Sequence, residues 1–111
     1  WEKQVLLSES MAFVLPSFVE GFGIPILEAM VCQTPVVVSA VASLPEVAST
    51  AGIYVQPDDI DSITAGMQKA VTDREKFVKL GLERVKSFSW AKCAQETLAV
   101  LELCYTNKTS K

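Results

Sequence analysis

The chain has 111 residues, half of them apolar and 21% charged, with a formal net charge of −3. That length bounds it to about one small domain, and a negative balance without any Lys/Arg cluster excludes a nucleic-acid footprint, because phosphate backbones are held by grouped cations. The sequence contains no histidine, which removes imidazole acid–base work, Ser-His or Cys-His nucleophile pairs and histidine-ligated metals.

The longest apolar stretch, PVVVSAVA from residue 35, is far too short to cross a bilayer. No basic segment followed by an apolar one opens the chain, so nothing reads as a secretion signal. The expectation is a cytoplasmic protein, or one peripheral at the cytoplasmic face of a membrane, and a start at Trp1 suggests a piece of a longer chain. Cys32, Cys93 and Cys104 show no C-x-x-C spacing and read as reduced thiols packed as small hydrophobes.

In chain order, residues 2–10 read as the end of a helix, and MAFVLPS (11–17) as a short strand covered on both faces. An Glu-Gly-Phe-Gly turn follows, then a helix over about 24–33 with Pro25 in its first turn, where a missing N–H costs nothing. PVVVSA (35–40) is a second strand dense in β-branched residues. Ser43 with Glu46 three positions on predicts a capping box that opens a short helix ending near Thr50. GIYVQP (52–57) is the third strand. Asp58 or Asp59 then caps a helix with Ile60, Ile63, Met67, Ala70 and Val71 at helical spacing, interrupted by Gly66 at a cost of about 1 kcal/mol against alanine. Another helix carries Phe77, Leu80, Val85 and Phe88. Ser89 caps a long last helix with Trp90, read as a core anchor, and Ala94, Thr97, Leu98, Leu101 and Tyr105 on one stripe, before a polar tail.

Strand and helix in alternation predict an α/β, three-layer, Rossmann-like fold with a parallel sheet joined by right-handed crossovers. Three strands make only half of a doubly wound domain. An apolar outer strand would be unprotected, which predicts self-association or an associating chain.

The chemistry concentrates in PSFVEGFGIPILEAM, residues 16–30. In an open parallel sheet, ligands lie beyond the carboxyl ends of the strands. Gly21 and Gly23 allow dihedrals and close approaches that a β-carbon would forbid. Amides around Gly23 to Ile26, Pro25 excepted, face out of the helix mouth with the positive end of the dipole, a site for phosphate. A carboxylate would be repelled by phosphate but suits a vicinal diol, which donates two charge-assisted hydrogen bonds to its two oxygens. Glu28 leans back toward the helix mouth and Glu20 comes from the loop before it. A diphosphate flanked by hydroxyl groups is a nucleotide-sugar. Phe22 has two readings, a ring stacked on a base or sugar, or a lid packed on neighbouring loops. Ser39 and Ser43 border the same end of the sheet.

PSFVEGFGIPILEAM, followed by QTPVVVSAVASLPEVASTAGIYVQPDD and FSWAKCAQETL, resembles the C-terminal, donor-binding domain of the group 1 (family 4) retaining glycosyltransferases of GT-B fold. The resemblance runs from about Val5 to Leu101 and its E-x7-E element is specific. It implies transfer of a sugar from a nucleoside-diphosphate sugar to an acceptor hydroxyl, with Glu20 on the transferred hexose as the catalytic position. It implies donor binding through Gly21, Phe22, Gly23 and Ile24, and Glu28 on the ribose hydroxyls. Neither a metal nor a cofactor is implied. Residues 1–111 would then be a partial nucleotide-sugar-binding domain, its acceptor domain and the cations that neutralise the diphosphate lying upstream, and the isolated piece would be inactive. Gln33 replaces the glycine usual in the family, Ala40 a common Asn, and STAG (49–52) the usual GDAG. The alternative is a non-catalytic split or truncated module that binds a partner subunit or a nucleotide only.

Overall fold

A computed structural model describes residues 2–109. The elements are α1 (Glu2–Glu9), β1 (Phe13–Leu15), α2 (Ile24–Val31), β2 (Val36–Ser39), α3 (Leu44–Ala48), a single 3-10 turn (Ser49–Ala51), β3 (Gly52–Val55), α4 (Ile60–Thr72), α5 (Arg74–Val85) and α6 (Trp90–Thr109). The order matches the α/β expectation, but the outer strands are shorter than the apolar runs suggest. β1 stops at Leu15 because Pro16, the next residue in the register, has no N–H for the ladder.

The three strands lie parallel in the order β1-β2-β3, with Val14 beside Val37 and Val37 beside Ile53. Every residue of β2 is buried, which is why its sequence runs apolar without alternation. Val36 and Val38 face Leu7 of α1, Ile26, Ala29 and Met30 of α2, and Leu44 and Ala48 of α3. On the opposite face Val37 packs with Ile53, Val55, Ala70 of α4 and Phe77 of α5. These are the three layers.

α2 ends in a Schellman arrangement: the Gln33 amide donates to Met30 O and the Thr34 amide to Ala29 O, both at 3.0 Å, and Gln33 takes φ 60°. The helix thus closes in a left-handed cap occupied by a residue with a β-carbon, at the position where the family usually has glycine. α4 is capped by Asp59, whose Oδ1 accepts from the amides of Asp61 and Ser62, and α6 by Ser89, which accepts from Lys92 N. The capping box at α3 does not form; Ser43 is not extended as a cap requires (φ −84°, ψ −5°) and its hydroxyl is engaged elsewhere.

α5 crosses the amino ends of the strands. Arg74 donates to the carbonyls of Ser10, Met11 and Gln33, just ahead of β1 and β2, and Arg84 to those of Glu46 and Val47 at the end of α3. The Arg74 contacts lie at the end of the sheet opposite the PSFVEGFG loop.

α6 departs from expectation. None of its described residues is buried. Trp90, read as a core anchor, is 82% exposed, and Leu98, Leu101 and Tyr105 are likewise open. A helix of 20 residues is about 30 Å long, and as an arm it stretches the molecule to 57 × 30 × 24 Å. All three thiols are free; Cys32 is half-buried and packs against the core as expected, whereas Cys93 and Cys104 ride on this arm, exposed. Among the described residues no helix is long and apolar enough to cross a membrane.

Candidate functional site

The loop from Pro16 to Gly23 leaves the carboxyl end of β1 and enters α2. Gly23, the residue ahead of the helix, has φ 88°, and a β-carbon there would stand 2.8 Å from Leu44 Cδ2. Handedness and space therefore both require glycine. Gly21 differs from the sequence expectation: nothing lies within 4 Å of the place a β-carbon would take, and its φ is outside the left-handed region. Nothing among the described residues fixes that glycine.

The free amides at the helix mouth are as many as the spacing suggested, but shifted toward the loop by the loss of Ile26. Ile26 N donates to Gly23 O at 3.0 Å and Pro25 has no N–H. The amides of Phe22, Gly23 and Ile24 have no acceptor among the described residues. These three lie where the dipole of α2 is positive.

A set of serine hydroxyls holds the loop in place. Ser17 donates to Glu20 Oε2 at 3.0 Å. Ser39, buried at the carboxyl end of β2, donates to Ser17 O. Ser43 donates to Gly21 O and lies 3.3 Å from Phe22 O. Sequence reasoning placed Ser39 and Ser43 near the ligand or at a cap; the structure uses both to brace the loop, and Ser17 was missed. The available signal was a hydroxyl residue at the end of each of two neighbouring parallel strands.

Glu28 sits a turn into α2. Its Oε2 is shut off from water, contacts the Lys3 ammonium of α1, and accepts no hydrogen bond of sound geometry among the described residues. Lys3 and Glu28 are 62% and 41% exposed as side chains, so this ion pair is weak and a competing donor can displace it. Glu28 lines a largely apolar groove of about 650 Å³ with Phe22, Ile24, Leu27, Val31 and Trp90, and Lys3 is its one cation among the described residues. Phe22 meets Phe88 edge to face, centroids 6.1 Å apart and planes at 80°, and the Arg84 guanidinium lies 4.8 Å from the Phe88 ring centre. Of the two readings of Phe22, this contact is the packing one.

The structure thus gathers Phe22, Ile24 and Glu28 on one groove, while Glu20, Gly21 and Gly23 lie on the loop ahead of α2 and do not line it. A separate hollow of about 590 Å³ beyond β3 is rimmed by Asp58, Asp59 and Asp61, a poor match for a diphosphate. Among the described residues no group of three or more Cys, Asp or Glu side chains is placed to hold a metal ion.

A parallel α/β sheet with helices on both faces and a braced loop at its carboxyl end places the chain among the Rossmann-like open-sheet folds. Comparison with known proteins narrows it. The family model "Glycosyl transferases group 1" matches residues 2–83, and the chain belongs to that family. It is 46% identical over 101 residues to the O-antigen chain mannosyltransferase B of Escherichia coli, covering 88% of this chain and 26% of that protein. It is 35% identical to the MMP alpha-(1->4)-mannosyltransferase of Mycolicibacterium hassiacum, covering 91% of this chain and 26% of the relative. Sucrose-phosphate synthase from Thermosynechococcus elongatus superposes with a TM-score of 0.79 at 30% identity, over 93% of this chain and 27% of that one. The fold is that of the C-terminal domain of GT-B glycosyltransferases, and the chain spans about a quarter of the length of these relatives.

Proposed function

We propose that residues 1–111 form the donor side of a retaining glycosyltransferase site that binds a nucleoside-diphosphate sugar, the acceptor being held by other parts of a longer protein. The observation that carries this reading is the trio of unclaimed amides at Phe22, Gly23 and Ile24, flanked by two carboxylates, at the mouth of α2. The diphosphate lies on the amides. Glu28, with acceptor capacity to spare on Oε2, takes the ribose hydroxyls, displacing Lys3. Glu20, steadied by Ser17, faces the hexose. The similarity to proteins named as mannosyltransferases makes mannose the first sugar to test.

In such a reaction the bond from the anomeric carbon to the diphosphate breaks and negative charge builds on the leaving group. Prepositioned amides and the helix dipole act most strongly on that developing charge and need no reorganisation as it forms. Neither glutamate touches phosphate. Glu20 orients the sugar and Glu28 anchors the nucleotide, so their substitutions have different signatures. In the full-length protein Glu28→Gln should weaken binding of the nucleoside diphosphate by roughly tenfold to a hundredfold, the worth of one to two charge-assisted hydrogen bonds. Glu20→Ala should lose most turnover with the nucleoside-diphosphate affinity little changed. Calorimetry with UDP, GDP and ADP and steady-state kinetics measure both; two variants with wild-type behaviour would refute the assignment. A chain that binds none of the three nucleotides would instead be the non-catalytic module.

A further inference from the structure

We propose that Ser43 is a positioning residue of this site: its hydroxyl gathers the carbonyls of Gly21 and Phe22 and thereby turns the following amides toward the ligand's phosphates. The inference rests on the donor reading given above and goes beyond it, since Ser43 itself touches no ligand.

In a trans peptide the carbonyl and the N–H of the next residue point in opposite directions from one plane. Ser43 Oγ donates to Gly21 O and is 3.3 Å from Phe22 O, so the carbonyls of two successive peptides face the loop between β2 and α3. Their partner amides, Phe22 N–H and Gly23 N–H, are thrown to the other side. In extended chain two neighbouring peptides aim opposite ways, so a shared direction here has to be imposed. The left-handed conformation of Gly23, φ 88° and ψ 39°, is the kind of turn that lets successive amides converge into an anion-binding concavity. A hydroxyl carries a single proton, so at any moment it bonds one carbonyl and leaves the other as a near neighbour. Without it, both carbonyls would be free to rotate outward, presenting oxygen lone pairs to a phosphate.

The backbone beside Ser43 supports the assignment. Ala42 takes φ 48°, a conformation that costs an L-residue with a β-carbon energy wherever it occurs. That turn delivers Ser43 to the loop, leaving the serine outside the extended conformation a helix cap needs. The capping function that the Ser43/Glu46 spacing advertises is thus forgone for a contact 22 positions away in sequence.

The experiment compares wild type, Ser43→Ala and Ser43→Thr in the full-length protein by calorimetry with GDP, UDP and ADP and with the three corresponding nucleosides, which lack phosphate. For whichever base binds, Ser43→Ala should weaken the nucleoside diphosphate by about tenfold, the effect of one lost oriented donor. It should leave nucleoside affinity unchanged, and Ser43→Thr should restore most of the loss. A general disturbance of the domain would lower both affinities together. Wild-type nucleoside-diphosphate binding in Ser43→Ala, or a parallel fall for nucleoside and nucleotide, overturns the role of Ser43 while leaving the donor reading intact. Failure of the wild type to bind any nucleoside diphosphate removes the donor reading, and this inference with it.

Discussion

At Gln33 a single dihedral separates what the chain has from what it could have. The position closes α2 with φ 60° and satisfies two carbonyls through the Schellman pattern, yet a β-carbon in the left-handed region costs up to about 1 kcal/mol that glycine does not bear. Gln33 is exposed and its backbone carbonyl, not its side chain, accepts from Arg74. Gln33→Gly should therefore raise stability by about 0.5 kcal/mol, the strain relieved being partly cancelled by the greater freedom of glycine in the unfolded chain. Urea titration monitored by circular dichroism measures it, and a destabilised variant would show that the side chain contributes something the structure does not reveal. The contrast with Gly23 is instructive. There φ is also positive, but Leu44 occupies the space as well, so no exchange of residue type is tolerated. Gly21 has neither constraint.

Helix α4 carries a feature that propensity alone misreads. Gly66 looks like a weak point in its centre, and the apolar spacing suggests Met67 and Val71 as core residues. Both of these are nearly half exposed, and Gly66 is buried with Ala70. A β-carbon on Gly66 would come within 2.4 Å of Val55 Cγ1 and 2.9 Å of Val37 Cγ1, so the helix lies against the sheet through its smallest residue. Gly66→Ala, which would stabilise an isolated helix, should destabilise this protein by about 1–3 kcal/mol through overpacking. A thermal midpoint that rises in the variant would contradict the close approach. α5 acts at the opposite end of the strands, where the guanidinium of Arg74 joins three carbonyls from two connections; the planar fork reaches them together in a way an ammonium could not.

For the molecule taken together, the open question is what its apolar surface does. The radius of gyration is 16.9 Å, against about 13 Å for a compact chain of this size, and the excess is α6. Its exposed Leu98, Leu101 and Tyr105, with the apolar groove beside α2 and the single-sided pairing of β1, form more uncovered apolar surface than a small monomer ordinarily tolerates. The 111-residue chain on its own should associate as concentration rises, and a double change of Leu98 and Leu101 to glutamate should reduce that association. Light scattering across a concentration series reads this directly; a monodisperse monomer throughout would count against it.

The succession of strands and helices, the Asp59 and Ser89 caps, the left-handed end of α2 and the family itself were all legible in the residues, because each depends on local periodicity, a cap or a turn within a few positions. Trp90, Met67 and the thiols of α6 were misplaced because burial depends on what lies opposite in space, and apolar spacing does not say whether a partner is there. The roles of Ser17, Ser39 and Ser43 were invisible for a related reason: a hydroxyl is equally able to cap its own helix or to bond a distant carbonyl, and only the parallel register that brings the ends of β1 and β2 side by side decides between them.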